Sequence, residues 1–312
     1  MQPKILISDG LAEEGLVRLR ESTEVVVAAK ITPAELLAAI GDYKALIVRS
    51  RTQVTAQVLE AGRELKVVGR AGVGVDNIDV PAAVGRGVVV VNAPLAATVA
   101  VAEHTLALML CLARAVPQAD AAMKRGEWIK SALMGDELEG RTLGLVGIGR
   151  IGAAVAQRAR AFGMTVLAFD PLCTEEQIRA RHAESVGFDE LLARSDYIST
   201  HTPLSVDTQG MIDAAAIARM KPGVRLVAVA RGGVIVEEHL LAALESGHVA
   251  GAAFDVFAEE PPGITRLVAH PRVVCTPHIA GQTQAAQRRA AQDIAEEVLR
   301  ALAGRPLRWQ IS

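Results

Sequence analysis

Three charged side chains in the second half of the chain have the types that proton transfer on an anionic substrate requires. Arg231, Glu260 and His278 each follow an apolar run of strand type, and Glu259 stands beside Glu260 as an alternative. An arginine binds a carboxylate through two parallel hydrogen bonds, and a histidine exchanges protons near neutral pH. Ligands of open α/β folds bind at the carboxyl ends of strands. The three residues are therefore candidates for an anion-binding and acid–base site.

A glycine-rich turn joins an apolar strand candidate to the helix candidate 151–161. Its sequence is Gly147-Ile148-Gly149-Arg150-Ile151-Gly152. Gly147 permits a tight turn, Gly149 lets the backbone approach a pyrophosphate, and Gly152 lets helix and strand pack closely. The free N–H groups and the positive dipole end of the helix then face the phosphates. The segment predicts a dinucleotide-binding site.

Asp170 ends the next strand candidate, at about the 20-residue distance from the glycines at which an acid binds the ribose hydroxyls of NAD. Pro171 follows it, and the next arginine is Arg179, so a 2′-phosphate would meet only the repulsion of the carboxylate. The alternative is a turn residue before a proline. The sequence predicts NAD rather than NADP as the cofactor.

A hydride acceptor beside such a dinucleotide needs its carbonyl polarised, a proton supplied to the oxygen and its charge anchored. The second half of the chain offers an arginine, a histidine and a carboxylate of these types in Arg231, His278 and Glu260. Taken singly, each has the alternative interpretation of a solvated charge. His201, which ends a strand candidate, is a further candidate for lining the cofactor site. His104 is interpreted as a residue of a long helix without a chemical role.

Short apolar runs alternate with helix-type segments along the whole chain, which predicts parallel sheets with right-handed crossovers. The strand candidates are residues 4–8, 24–27, 45–48, 66–68, 88–91, 142–146, 165–168, 197–199, 226–229, 251–254 and 273–275. The helix candidates are residues 11–20, 33–40, 98–124, 151–161, 237–246 and 283–303. Because the long stretch 98–124 separates two series of strands, the pattern predicts two doubly wound α/β domains.

Composition excludes several classes of protein. The 312 residues are 51% hydrophobic, and the formal net charge is −2. This hydrophobic content excludes a disordered chain, and the lack of a basic excess argues against nucleic acid as a partner. The cysteines, three in number and scattered, lack metal-ligand spacing, which predicts reduced thiols and no metal site. No signal-peptide pattern occurs, and no apolar run reaches the ~18–20 residues of a membrane span. We therefore expect a soluble, cytoplasmic protein without a membrane partner.

Several motifs follow one another along nearly the whole chain. They are residues 69–79 (GRAGVGVDNID), 147–152 (GIGRIG) with Asp170-Pro171, 201–204 (HTPL), 230–233 (ARGG), 254–261 (FDVFAEEP) and 277–281 (PHIAG). In these motifs, their order and their spacing, the sequence resembles the D-isomer-specific 2-hydroxyacid dehydrogenase family, and most of all its D-3-phosphoglycerate dehydrogenase branch.

The resemblance implies a role for each matching position. The implied catalytic residues are Arg231, Glu260 and His278. The implied cofactor-binding residues are Val73, Gly147, Gly149, Arg150, Ile151, Gly152, Asp170, Thr202, Val229, Ala230, Asp255, Ile279, Ala280 and Gly281. The implied substrate-binding residues are Arg49, Ser50, Gly72, Val73 and Gly74.

The resemblance also implies a discontinuous architecture. Residues 1–97 and 283–312 would form a flavodoxin-like substrate domain, and residues 98–282 an NAD-binding Rossmann domain inserted in it. Members of the family are commonly homodimers joined through the long helical region, so a homodimer is expected. Because the chain ends at Ser312, we expect neither an appended regulatory domain nor feedback by serine through one.

One loop departs from the family pattern. Ala96 and Ala97 stand where the family has Gly and Asn, which removes backbone freedom and side-chain hydrogen bonds near the expected substrate position. The departure leaves the use of 3-phosphoglycerate itself open. Arg49, Arg51 and Arg70 are candidates to bind a phosphate or a second carboxylate, with ordinary surface charges as the alternative.

The sequence thus predicts an NAD-dependent oxidoreductase that transfers a hydride between nicotinamide and a D-2-hydroxyacid or 2-oxoacid. The leading substrate pair is 3-phosphoglycerate and 3-phosphohydroxypyruvate, the pair of serine biosynthesis. One alternative is a hydroxypyruvate/glyoxylate reductase or another 2-hydroxyacid dehydrogenase. The other is a non-catalytic NAD(H)-responsive binding protein, similar to the co-repressors that resemble these enzymes.

Overall fold

A parallel β-sheet forms the centre of each of the two units into which the chain folds. The structure, a computed structural model, describes residues 2–312. The first unit comprises the chain up to Thr98 together with Gly281–Ser312, and the second unit is Val99–Ala280.

The elements of both units follow one another in strand–helix alternation. The first unit begins with β1 (Lys4–Ile7), α1 (Glu13–Arg20), β2 (Glu24–Val27), α2 (Pro33–Ala39), β3 (Ala45–Val48), α3 (Ala56–Ala61), β4 (Val67–Arg70), α4 (Val80–Gly85) and β5 (Val89–Asn92). Next come α5 (Thr98–Arg114), α6 (Val116–Lys124), β6 (Thr142–Val146), α7 (Arg150–Ala161), β7 (Thr165–Phe169), α8 (Glu175–Ala180), β8 (Glu184–Ser185), α9 (Phe188–Arg194), β9 (Tyr197–Thr200), α10 (Ala214–Ala218), β10 (Val224–Ala228), α11 (Glu237–Ser246), β11 (Val249–Phe254) and β12 (Val273–Cys275). The last helix, α12 (Gln284–Leu302), belongs to the first unit.

The first sheet has the strand order β2-β1-β3-β4-β5, and its strand pairs are parallel. This is the flavodoxin-like order of a doubly wound fold. Its central strands are apolar along their length because helices cover both faces. On one face α12 packs so closely that a Cβ on Gly69 would lie 2.7 Å from a Val298 methyl group.

The second sheet has the order β12-β11-β10-β9-β6-β7-β8, again with parallel pairs. The chain leaves β6 on one side and returns to β9 on the other, which is the strand reversal of the Rossmann fold. In parallel strands the carboxyl ends meet at one edge of the sheet. The glycine turn after β6, His201 after β9, Arg231 after β10 and His278 after β12 therefore share that edge.

These two sheets confirm the predicted fold class, and every predicted strand is present within a few residues. The predicted helical stretch 98–124 is wrong as one continuous element. It breaks at Ala115, which adopts left-handed backbone angles (φ 48°, ψ 39°), and a new helix begins with Pro117 in its first turn. Proline has no N–H to donate and suits a first turn, which explains the restart.

Among the described residues, no single helix is long and apolar enough to cross a membrane. The pair α5 and α6 together passes that test by length and composition, with a bend of 67° between them. Within residues 2–312 there is no group of three or more His, Cys, Asp or Glu side chains that could hold a metal ion. All the cysteines are free thiols.

Candidate active site

His278 and Glu260 form a hydrogen-bonded pair at the carboxyl edge of the second sheet. The distance from His278 Nδ1 to Glu260 Oε2 is 2.7 Å. The other carboxylate oxygen of Glu260 accepts a hydrogen bond from the Phe257 amide at 3.1 Å, which fixes its orientation. The carboxylate accepts from Nδ1–H, so Nε2 is the nitrogen left for proton exchange. Of the two neighbouring glutamates, Glu260 rather than Glu259 thus partners the imidazole.

The loop that carries His278 has an unusual backbone conformation. His278 adopts a left-handed φ of 53°, and its amide donates to the Asp255 carbonyl oxygen at 2.8 Å. Left-handed backbone is uncommon for a residue with a side chain and persists where surrounding contacts hold it. The imidazole is consequently held out from the loop, with 52% of its side chain exposed to solvent.

Asp255 is fully buried, and its carboxylate holds this loop in place by hydrogen bonds. Its carboxylate accepts hydrogen bonds from the Thr276 hydroxyl at 2.6 Å and from the Ile279 and Ala280 amides at 2.8 Å each. Burial alone would raise the pKa of Asp255, but the nearby His104 imidazole and these hydrogen bonds hold it below its ordinary value. Asp255 is therefore charged near neutral pH and shapes the loop, while its contact with a cofactor stays a prediction.

The loop that carries Arg231 packs directly against the loop that leads to Glu260. A Cβ on Gly232 would overlap the Phe257 carbonyl group and crowd the Ala258 amide, so only glycine permits this approach. One guanidinium nitrogen of Arg231 donates to the Ala230 carbonyl oxygen at 2.7 Å. The Arg231 loop is thereby tied to the backbone that orients Glu260, and through Glu260 to His278.

The glycine turn has the shape that its sequence predicts. Gly147 has a left-handed φ of 94°, and a Cβ there would lie 2.8 Å from the His201 carbonyl oxygen. A Cβ on Gly152, in the first turn of α7, would overlap the Gly147 carbonyl oxygen. On Gly149 a Cβ would meet nothing within 4 Å, so the backbone is open to a ligand on that side.

Buried polar atoms without a protein partner line the end of β9 beside this turn. They are Thr200 Oγ1, His201 Nδ1 and Thr202 Oγ1. Burial lowers the pKa of His201 to about 4, so its imidazole is neutral near pH 7, and its Nε2 lies 2.9 Å from Ser199 Oγ. Buried polar groups are rarely left without a hydrogen bond, so these atoms fit the polar groups of a bound dinucleotide.

Asp170 lies at the end of β7, on the other side of the glycine turn. Its two carboxylate oxygens accept hydrogen bonds from the amides of Ile148 and Leu172, both at 3.0 Å. Each oxygen keeps a lone pair for a ribose hydroxyl. Arg181, which the sequence did not single out, donates to the Ile148 carbonyl oxygen at 2.8 Å and to Cys173 Sγ at 3.1 Å.

The predicted substrate residues of the first unit lie in the loops after β3 and β4. Asp9 orders the loop after β3 by accepting hydrogen bonds from the Arg49 amide at 2.7 Å and from the Thr52 hydroxyl. Burial lowers the pKa of Arg49, although it remains a cation, and its guanidinium donates to Gln282 at 3.1 Å. Ser50 beside it is exposed.

Gly72, Val73 and Gly74 form the loop after β4. The Val73 carbonyl oxygen accepts a hydrogen bond from the Asn92 side chain at 2.6 Å, and the Gly72 carbonyl oxygen accepts one from the Ala93 amide. A Cβ on Gly72 would overlap the Arg70 guanidinium. Val73, predicted to approach the cofactor from the first domain, lies in the first unit, and so does Gly281, which was predicted within the inserted domain.

The second unit brings together most of the predicted site residues at one sheet edge. Val229, Ala230 and Arg231 directly follow β10. Arg150 and Ile151 open α7, and Ile279 and Ala280 follow His278. Sequence analysis missed the contact of His104 with the Asp255 loop and the position of Arg181. From the sequence, His104 is only a histidine at a helical position, and Arg181 is only an arginine near Asp170.

This arrangement of strand order, glycine turn and histidine–glutamate pair agrees with the comparisons with known proteins. A family model described as "D-isomer specific 2-hydroxyacid dehydrogenase, NAD binding domain" matches residues 106–280. The chain belongs to the D-isomer specific 2-hydroxyacid dehydrogenase family. This confirms the predicted family, and the matched residues all lie within the second unit.

Individual members of the 2-hydroxyacid dehydrogenase family align over almost the whole chain. The D-3-phosphoglycerate dehydrogenase of Bacillus subtilis (strain 168) is 48% identical over 304 residues, which are 97% of this chain and 58% of that protein. The chain spans about half the length of the curated relatives it matches, between 49% and 58%.

Solved structures of the family agree with the fold. A protein of Thermus thermophilus is 36% identical with a TM-score of 0.88, over 99% of this chain and 100% of that one. The D-lactate dehydrogenase of Aquifex aeolicus, solved in complex with NAD and lactic acid, is 28% identical with a TM-score of 0.83 over 96% of both chains.

Proposed function

We propose that the protein is an NAD-dependent oxidoreductase that interconverts a D-2-hydroxyacid and its 2-oxoacid. The observation that carries this proposal is the 2.7 Å contact between His278 Nδ1 and Glu260, beside the Arg231 loop and on the same sheet edge as the glycine turn. An acid–base histidine, an arginine and a dinucleotide site on one edge are what reduction of an anionic carbonyl compound requires.

Each of the three residues then has a distinct role. NAD, when bound, supplies or accepts the hydride at its nicotinamide ring. Arg231 binds the carboxylate of the acid and stabilises the negative charge that grows on the carbonyl oxygen during reduction. His278 donates the Nε2 proton to that oxygen and takes it back in oxidation. Glu260 accepts the hydrogen bond from Nδ1 and thereby fixes the orientation of the imidazole.

The cofactor assignment is supported by Asp170 and by the polar atoms at the end of β9. Asp170 would accept the hydrogen bonds of the adenine ribose, and Thr202 and His201 would contact the dinucleotide beside Gly147. Arg150 and Ile151 contribute the backbone amides at the start of α7. We further propose that the second unit is the NAD domain and the first unit the substrate domain.

For the substrate, we favour the pair 3-phosphoglycerate and 3-phosphohydroxypyruvate. The curated relatives that carry the name D-3-phosphoglycerate dehydrogenase are 42% to 48% identical to this chain. In the first unit, Arg49, Arg51 and Arg70 are the candidate cations for the phosphate, with Ser50 and residues 72–74 as backbone and hydroxyl donors. Of these, Arg51 already donates to the Asp9 carboxylate and to the Ile31 carbonyl oxygen. Ala96 and Ala97 remove the polar groups of the usual loop, which keeps hydroxypyruvate or glyoxylate as the second candidate.

The experiment that tests this function follows NADH consumption with five acids. They are 3-phosphohydroxypyruvate, hydroxypyruvate, glyoxylate, pyruvate and oxaloacetate. The highest kcat/KM for 3-phosphohydroxypyruvate would support the favoured substrate, and preference for another acid would replace it within the same reaction. No consumption with any of them, together with tight NADH binding, would favour the NAD(H)-responsive binding protein instead.

We also propose that the protein works in the cytoplasm.

The Asp170 carboxylate is expected to determine the preference for NAD over NADP. Replacing Asp170 by alanine removes the repulsion of a 2′-phosphate and leaves the Arg181 guanidinium near the same turn. One charge–charge contact near a protein surface amounts to a few kcal/mol, so the ratio of kcat/KM for NADH and NADPH should fall about 10- to 100-fold. Steady-state kinetics with both cofactors measures the ratio.

The double variant Asp170→Ala/Arg181→Gln is the matched control for this prediction. If Arg181 supplies the attraction for the 2′-phosphate in the single variant, NADPH use should decline again in the double variant while NADH use stays similar. An unchanged ratio of NADH to NADPH kinetics in Asp170→Ala would remove Asp170 from the cofactor site.

We propose that the protein is a homodimer joined through the segment that follows α6. In this segment and at the end of α6, Met123, Trp128 and Met134 have exposed fractions of 57%, 77% and 95%. Large apolar side chains this exposed, close together along the chain, are typical of interaction surfaces, and a second copy of this chain would bury them. Sedimentation velocity should give a dimer for the wild type and a monomer for Trp128→Ser. Val206→Ser, at another exposed apolar position, should remain dimeric.

A further inference from the structure

His104, a mostly buried residue of α5, lies beside Thr276 and Asp255, the two side chains that hold the His278 loop. Its Nε2 lies 3.1 Å from Thr276 Oγ1 and 3.6 Å from Asp255 Oδ1. Only 20% of its side chain is exposed, and Asp255 is fully buried. The proposed reaction assigns no role to this histidine.

The direction of these hydrogen bonds follows from the single proton of the Thr276 hydroxyl. That proton is donated to Asp255, at 2.6 Å, because a carboxylate can only accept. The hydroxyl oxygen therefore accepts from His104, which fixes the neutral ring in the tautomer with hydrogen on Nε2. His104 thus donates to Thr276, and Thr276 donates to Asp255, in one chain from α5 to the carboxylate.

The carboxylate transmits this constraint to the catalytic loop. The two carboxylate oxygens of Asp255 accept hydrogen bonds from the amides of Ile279 and Ala280, and its main-chain carbonyl oxygen accepts one from the His278 amide. His278 is held in a left-handed conformation by contacts on both sides. A rotation of the Asp255 side chain would therefore move the backbone that aims the imidazole.

We propose that His104 is a positioning residue for proton transfer by His278, acting through Thr276 and Asp255. His104 does not touch the substrate. The hydrogen bond from His104 Nε2 keeps the Thr276 hydroxyl directed at Asp255, so that Thr276 continues to donate to the carboxylate. Asp255 in turn keeps the loop in the geometry that directs His278 Nε2. The inference rests on the proposed oxidoreductase function, and it adds a residue that neither the glycine turn nor the charged trio includes.

The test compares three variants of helix α5 in the full-length protein. His104→Leu removes the donor, His104→Gln restores an amide donor near the former Nε2 position, and Thr105→Val removes a buried hydrogen bond to the Val101 carbonyl oxygen on the same helix. Misplacement of a catalytic group by about 1 Å costs up to ~100-fold in rate, so kcat of His104→Leu should fall about 10- to 100-fold. The KM for NADH should change little, His104→Gln should recover most of kcat, and Thr105→Val should keep it.

A second readout does not depend on turnover. Hydrogen exchange of the amides of Ile279 and Ala280, followed by mass spectrometry, should be at least about tenfold faster in His104→Leu than in Thr105→Val, because local opening of this loop becomes easier. Unchanged exchange, or unchanged kcat despite faster exchange, would overturn the proposal. A wild-type protein that reduces none of the acids would refute the oxidoreductase function, whereas the exchange measurement would still decide whether His104 orders the loop.

Discussion

Replacing His278 by asparagine is expected to lower kcat for reduction of the preferred 2-oxoacid by about 10²- to 10⁴-fold. Asparagine has no group that titrates near neutral pH, so the proton would have to come from water. It is also among the residues that best tolerate left-handed backbone, so the φ of 53° at this position should be kept. The affinity for NADH, measured by its fluorescence, should stay nearly unchanged because the glycine turn and Asp170 are untouched.

His182→Asn is the matched control for this substitution. His182 is a histidine of the same unit and also has a left-handed φ, 69°, so the exchange has the same backbone and side-chain chemistry away from the site. It should keep the wild-type kcat. Near-native turnover of His278→Asn would rule out His278 as the general acid. Glu260→Gln should lie between the two, because the amide oxygen can still accept a hydrogen bond from Nδ1, but this bond is weaker than one to a charged carboxylate.

The parts of the fold that can be predicted from the sequence are those in which the signal is local. Parallel strands buried on both faces are mostly apolar runs, and β3 and β6 begin and end at the predicted residues. The edge strand β2 is only partly buried, but its run of valines also gives the predicted bounds. The glycine turn is found for the same reason, since three glycines at fixed spacing follow such a strand. The edge strand β8, only Glu184–Ser185, has no apolar pattern and is absent from the prediction.

Other features cannot be predicted because they depend on contacts between distant parts of the chain. The family resemblance implies Glu260 rather than Glu259, but the local residues alone leave the choice open, because it depends on how the loop turns before it meets His278. The break at Ala115 lies inside a helix-favouring sequence. The contact of His104 with Thr276 could not be predicted for the same reason. The two residues are 172 positions apart along the chain, and the periodicity of a helix does not indicate a partner at such a distance.

Replacing Arg231 by glutamine is expected to lower kcat/KM for the 2-oxoacid by about 10²- to 10⁴-fold. This loss corresponds to two charge-assisted hydrogen bonds to the substrate carboxylate, each contributing about 1.5–3 kcal/mol. Both parameters should change: KM should rise because the carboxylate loses its anchor, and kcat should fall because the charge that grows on the carbonyl oxygen loses a stabilising cation. Initial-rate kinetics at saturating NADH separates the two effects.

Arg231→Lys divides the effect of charge from that of shape. Lysine keeps the positive charge but presents it as a point, without the planar fork that matches a carboxylate, so its kcat/KM should lie between the wild type and Arg231→Gln. Arg219→Gln, which breaks an exposed ion pair with Asp189 in the same unit, should leave the kinetics unchanged. Equal losses in Arg231→Lys and Arg231→Gln would mean that the planar fork rather than the charge is decisive. Wild-type kcat/KM in Arg231→Gln would require that another cation anchors the acid.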